Sequence, residues 1–138
     1  MKEFLAGSAM MLLLSVFLIQ FTSNQILHDK LMFAQQDIDT CLQEIKQDGY
    51  ITTEKKTELA DTLKETLKLD NASEITIEST TTTPVYRGEL IDYTIKITVK
   101  NVIGAAGFLG IAEDSNKVTK TYSGYIASEY IDFEESGV

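Results

Sequence analysis

Phe4–Phe21, FLAGSAMMLLLSVFLIQF, contains no charged residue, and its polar side chains are limited to Ser8, Ser15 and Gln20. At a helical rise of about 1.5 Å per residue the run covers about 27 Å, close to the ~30 Å hydrocarbon core of a bilayer. A soluble core helix would show a polar stripe, and this run shows almost none. A cleaved secretory signal would show a basic start and a small-residue cleavage site. Here Lys2 is offset by Glu3, and no A-x-A follows Phe21. The reading is a retained helix that spans a membrane or fills a filament core.

Outward from this run, the helix is expected to continue. Met1, Lys2 and Glu3 precede it, and no proline interrupts the pattern beyond Gln25. After the polar collar FTSNQ, Leu27, Leu31, Ala34, Ile38, Cys41 or Leu42, and Ile45 recur at steps of three and four. That spacing makes one apolar stripe on an amphipathic helix reaching about Lys46. Its other face carries Asp29, Lys30, Gln35, Gln36, Asp39, Gln43, Glu44 and Lys46. Gly49 is the expected left-handed stop, with Tyr50 and Ile51 as the contact after it. Thr52 or Thr53 can cap a second helix over about Glu54 to Leu69, with Leu59, Leu63 and Leu67 on one face. It is expected to pack antiparallel on the first helix, with Asp70-Asn71 ending it.

Three strand-like stretches follow. Glu74–Thr82 alternates Ile75 and Ile77 with polar residues, and Pro84 bounds it. Tyr86–Val102 places Ile91, Tyr93, Ile95, Ile97 and Val99 on one parity, the clearest strand in the chain. Lys117–Phe133 slips parity near Gly124, which predicts a bend or bulge. The fold class is therefore α+β: a long helix, a second helix and a three-stranded antiparallel sheet. The division is a hydrophobic transmembrane or filament-core helix over 1–25 and a small α+β head over 26–138. The head includes the amphipathic half of the first helix.

The 138 residues suffice for one domain plus a helix. The net charge of −9 arises from His28 onward, because Lys2 and Glu3 cancel. No basic cluster is visible along the sequence, which argues against nucleic acid and against anionic headgroups as partners. Lys and Arg, rather than net charge, set membrane topology. Lys2 on one side nearly balances Lys30 on the other, with a slight preference for the short end inside. Cys41 is the single cysteine, so no intrachain disulfide forms. His28 and Cys41 are separated by roughly 20 Å along one helix, too far for a nucleophile-base pair. One His and one Cys make no metal site, and GAAGFLG lacks the lysine of a phosphate loop. Neither enzymatic activity nor a cofactor is expected.

Several positions stand out. Glu3 is a carboxylate at the mouth of an apolar helix, costly in lipid unless paired. It either pairs with Lys2 among headgroups or meets the amino terminus of a neighbouring subunit. Ala6, Gly7, Ser8 and Ala9 allow close helix approach, and Gly7 allows local loosening. NVIGAAGFLGIAEDSN is apolar and glycine-rich. Phe108 and Leu109 in it either fold into the core or form a subunit contact. Asn71-Ala72-Ser73 matches a glycosylation acceptor pattern, one that also arises by chance. The run Ser79–Thr83 suits O-glycosylation or an edge strand. Asp132–Val138 reads as a tail, including Glu134-Glu135.

Taken together, MKEFLAGSAMMLLLSVFLIQF, the uninterrupted helix beyond it and the head ending in GYIASEYI resemble type IV pilin-like subunits. The smaller Tad-type pseudopilins of Gram-positive bacteria are included in that resemblance. It implies a structural subunit stored in the membrane, then polymerised through its N-terminal helix into an extracellular filament on the cell surface. The implied partners are other copies of the chain in a helical homo-oligomer, a pilus assembly platform and an export ATPase. A near-terminal acid, here Glu3, is implied to register subunits, with Lys2, Phe4 and Gly7 beside it in the assembly region. The alternative is a single-pass membrane-anchored accessory or binding domain of a cell-envelope complex. A third reading is a secreted domain released by signal cleavage.

Overall fold

A computed structural model describes residues 1–69, 74–103, 106–107 and 109–131. Helix α1 (Lys2–Asp48) runs unbroken for 47 residues, joining the apolar run to the amphipathic stripe. Its stop is Gly49, at φ 79°, whose N–H donates to Ile45 O. Space as well as conformation demands glycine there. A Cβ would lie 2.9 Å from both Tyr130 Cβ and Val85 O. The helix end is also clamped from outside, because Val85 N donates to Gly49 O and Glu129 N to Lys46 O.

Helix α2 (Thr53–Leu67) is capped by Thr52, whose hydroxyl accepts from Lys55 N at 3.1 Å. It ends before the expected Leu69, because Lys68 turns left-handed at φ 48° and Leu69 N then donates to Lys64 O. The termination therefore precedes Asp70-Asn71. Three side-chain contacts give the direction of packing. Lys55 pairs with Glu44, Thr66 donates to Asp37 at 2.6 Å, and Lys30 donates to Leu67 O at 2.9 Å. Numbers rise along α2 as they fall along α1, so the helices are antiparallel. Ala34, Ile38, Leu42 and Ile45 from α1 and Leu59, Leu63 and Leu67 from α2 are buried in one core. Lys55 also pairs with Glu58 at 2.9 Å.

Strands β1 (Glu74–Glu78), β2 (Leu90–Lys100) and β3 (Lys117–Ala127) form an antiparallel sheet in the order β1-β2-β3. Together with the helices this makes the α+β arrangement expected from the sequence. Ile91, Ile95 and Ile97 of the central strand are buried against the helices, and Ile75, Ile77, Tyr93, Val99, Tyr122 and Ile126 pack around them. Tyr122 also reaches α1, donating to Leu31 O at 3.2 Å.

All three strands are shorter than alternation alone predicts. After Glu78, residues 79–81 turn aside to wrap a carboxylate. Ahead of Leu90 the chain makes a turn, with Glu89 N donating to Tyr86 O and Gly88 at φ 93°. Beyond Ala127, Ser128 turns inward. Its buried hydroxyl donates to Val85 O at 2.7 Å and accepts from Tyr130 N.

The expected bulge at Gly124 is absent. Pairing runs one for one from Leu90↔Ala127 to Lys100↔Lys117. Gly124 stays in the ladder opposite Tyr93, whose ring covers it. A Cβ there would lie 3.0 Å from the Tyr93 hydroxyl. The apparent slip comes from Tyr125, which points outward and is exposed, while Tyr122, Gly124 and Ile126 keep the inward parity.

In the connection from β2 to β3, Ala106 is buried and Leu109 is exposed. Buried Asn116 organises it: Oδ1 accepts from Ile103 N at 2.7 Å, and Nδ2 donates to Ile103 O at 3.0 Å. Asn71, Phe108 and Asp132–Val138 lie outside the described residues.

Candidate assembly surface

The two halves of α1 differ in what covers them. In the head, the stripe at Ala34, Ile38, Leu42 and Ile45 is buried by α2 and the sheet. Along the apolar run, none of the membrane-length window is buried within the chain. Phe4 is 83% exposed and Phe17 67%. Length and apolar composition make this half of α1 fit to cross a membrane.

Its few polar groups are closed within the helix. The Ser8 hydroxyl donates to Phe4 O (3.0 Å), Ser15 to Met11 O (2.9 Å), Thr22 to Leu18 O (2.9 Å) and Ser23 to Ile19 O (2.9 Å). A hydroxyl bonded to the preceding turn presents little unsatisfied polarity to an apolar surrounding. Gln20 marks the lower edge of the head. Its amide donates to Asn24 Oδ1 at 3.2 Å and to Val102 O at 3.4 Å.

The uncovered surface does not stop where the apolar run stops. Leu5, Leu12, Ile19, Ile26 and Phe33 recur every seventh residue, and each is at least half exposed. Seven residues are nearly two helical turns, so the row drifts only about 20° per step. Met32 is exposed beside it. The outward face of α1 in the head is thus less polar than its charged residues suggest. Sequence reading overlooks the row because its upper members, Ile26 and Phe33, adjoin residues of the apolar stripe, Leu27 and Ala34, and merge with it. Counting by sevens rather than by threes and fours finds them.

At the start of α1, Glu3 lies in the first turn, where a carboxylate complements the helix dipole. Among the described residues neither Glu3 nor Lys2 makes an ion pair. A Cβ on Gly7 would meet nothing within 4 Å, so the helix at Gly7 is open to a neighbour. His28 and Cys41 line separate grooves on α1. Burial pushes the Cys41 thiol up from its usual value, and nearby Glu44 adds to the shift. Among the described residues, no three of His, Cys, Asp and Glu are grouped as metal ligands would be.

Comparison with family models, curated proteins and solved structures finds no match. The reading of this surface therefore rests on its geometry and chemistry.

One further arrangement in the head escapes sequence reading. Asp92 is held by the hydroxyl run: Thr80 N (2.9 Å), Thr80 Oγ1 (2.8 Å), Thr81 N (3.1 Å) and Thr81 Oγ1 (2.9 Å) all donate to its carboxylate. Burial acts to raise this carboxyl, but the donors outweigh it and hold it well below the usual carboxylate range. The run Ser79–Thr81 is a loop anchored by a charge, not a continuation of the edge strand.

Proposed function

We propose that the chain is a pilin-like structural subunit, stored in a membrane through the apolar half of α1 and polymerised through that helix into an extracellular filament. The observation that carries this reading is the exposed row Leu5, Leu12, Ile19, Ile26 and Phe33. Phe33 lies twelve residues beyond Phe21, roughly 18 Å farther along the axis. A bilayer that covers Phe4–Phe21 ends well short of Phe33. A neighbouring copy of α1 covers both ends of the row at once, as in a helical bundle. Exposed apolar surface that continues past the lipid is a contact surface. The small residues Ala6, Gly7, Ser8 and Ala9 favour close helix approach. The acidic heads would stay soluble on the outside of such an array. Its partners would be further copies, an assembly platform and an export ATPase.

A single-pass anchor carrying an accessory or binding domain needs only the lower half of the row. The two readings part at Phe33 and Glu3. Phe33→Glu leaves the membrane-length run intact. It is expected to insert like wild type and to lose sheared, pelletable protein, because it places a charge between packed helices.

Glu3→Ala is expected to give the same pattern for a different reason. In a filament core Glu3 meets the amino terminus of an adjacent subunit, and its loss leaves that amine unpaired in a low dielectric, where breaking a pair costs about 3–5 kcal/mol. Membrane-bound and sheared fractions are quantified in parallel, and sheared material is inspected by electron microscopy. Equal yields of all three proteins in both fractions would remove the roles given to Phe33 and Glu3, and a wild type that yields no pelletable protein would leave the anchor reading standing instead.

A further inference from the structure

The lysines of this acidic chain are scattered in sequence, yet three of them converge where α1 leaves its apolar half. Lys30 of α1, Lys68 after α2 and Lys100 at the end of β2 line one cavity of about 280 Å³, together with Ser23, Asn101 and aliphatic residues such as Leu27 and Val99. We propose that this cavity holds the phosphate of one anionic phospholipid headgroup from the outer edge of the membrane that surrounds α1. The proposal rests on the membrane residence of the apolar half.

Position is the first argument. Ser23 is two residues beyond Phe21, roughly 3 Å along the axis, within the headgroup layer of about 5–7 Å outside the hydrocarbon. The contact between Gln20 and Val102 O fixes the head at this level. Lys30 stands higher, but side chains on a helix lean toward its N-terminus, here toward the membrane. Long lysine stems reach an interface in the same way.

Charge is the second argument. In a chain of net charge −9, three of the residues that line this one cavity are lysines. Lys30 uses one donor on Leu67 O, and an ammonium has three. Lys100 also meets Glu74 at 3.8 Å, and its ammonium likewise carries three donors.

Backbone geometry is the third. Among the described residues, Lys68 (φ 48°) and Asn101 (φ 58°) are the non-glycine residues at positive φ, and both line this cavity. Glycine would fit the helix stop at lower cost, yet a lysine occupies it. Unfavourable conformations of this kind cluster at ligand sites.

The test uses the full chain in dodecyl maltoside micelles, titrated with phosphatidylglycerol or phosphatidylcholine and read by native mass spectrometry. One phosphatidylglycerol per chain is expected, in preference to phosphatidylcholine. The combined Lys30→Gln, Lys68→Gln, Lys100→Gln variant is expected to weaken it on the order of 10- to 100-fold, from the value of each basic side chain near an anionic surface. The combined Lys56→Gln, Lys64→Gln, Lys117→Gln variant loses the same charge elsewhere and is expected to bind like wild type. Lys68→Gln alone removes only an exposed side chain, keeps the fold, and is expected to give a severalfold loss.

Millimolar inorganic phosphate should not displace the lipid. Displacement would reassign the site to free phosphate, and equal binding of the two lipids, or equal loss in both combined variants, would overturn the proposal. Flotation with vesicles of phosphatidylcholine alone reads membrane residence without involving the lysines. Binding lost with flotation intact removes the headgroup site only. Failure to float removes the membrane reading, and the lipid source with it.

Discussion

Asp92 gives the sharpest expectation at the level of single residues. Its carboxylate accepts from two backbone amides and from hydroxyls of Ser79, Thr80 and Thr81. Hydrogen bonds to a charged group contribute about 1.5–3 kcal/mol, so Asp92→Ala should lower the stability of the head by about 1–3 kcal/mol in urea unfolding. The pH dependence has a definite sign. Because the folded carboxyl is held below its ordinary value, its contribution is complete above about pH 4 and is lost as pH falls toward the folded value. The stability difference between wild type and Asp92→Asn should therefore shrink as pH is lowered from about 5 toward 2. A flat difference would mean that hydroxyls alone hold the loop. The arrangement is partly legible in the sequence. Extending the β1–β2 register from Glu78↔Thr94 by two positions places Thr80 opposite Asp92. The register itself, however, is a tertiary fact that alternation along one strand does not contain. Asn116 and Ser128 escape notice for a related reason: each is buried by bonds to backbone atoms far away in sequence, and neither interrupts a pattern. Cys41, by contrast, is legible as a stripe residue. Burial raises its thiol, so alkylation in the folded protein should be much slower at pH 8 than in urea.

Among the elements, the helices are more readable than the strands, and the reason is local. Gly49, Thr52 and the Leu59-Leu63-Leu67 spacing act through bonds and contacts a few residues apart. Gly49→Ala should be costly twice over, through positive φ and through the 2.9 Å approach to Tyr130 Cβ and Val85 O. A loss of more than about 1 kcal/mol is expected. Leu63 is fully buried between α1 and α2, so Leu63→Ala should lose about 2–5 kcal/mol. Thermal unfolding of a chain beginning at Gln25 reads both, and an unchanged midpoint for Leu63→Ala would refute the helix packing. Strand ends are set otherwise. β1 stops because Ser79–Thr81 turn to Asp92, and β2 begins late because Gly88 makes a turn. Neither event leaves a mark in hydrophobic alternation. Gly124 looks like a bulge because glycine and a parity change coincide there. In the sheet it gives room to the Tyr93 ring instead.

For the whole molecule, the division into an apolar helix and an acidic head is legible because composition changes abruptly at Thr22. The neck cavity is not, since Lys30, Lys68 and Lys100 come from three elements whose meeting only the fold supplies. A chain beginning at Gln25 should be monomeric in water without detergent, as it lacks the row below Ile26. Sedimentation that gave large aggregates would indicate that Ile26, Met32 and Phe33 suffice to associate. One consequence of the unbroken α1 concerns load. Its 47 residues span roughly 70 Å, and between Gly7 and Gly49 the helix contains neither glycine nor proline. No flexible tether separates head from stem. Tension applied to a head therefore passes down a continuous ladder of backbone hydrogen bonds into the apolar half. Under pulling, the yielding joint is the contact between the stem and its surroundings, so the chain should come out whole before its neck unravels.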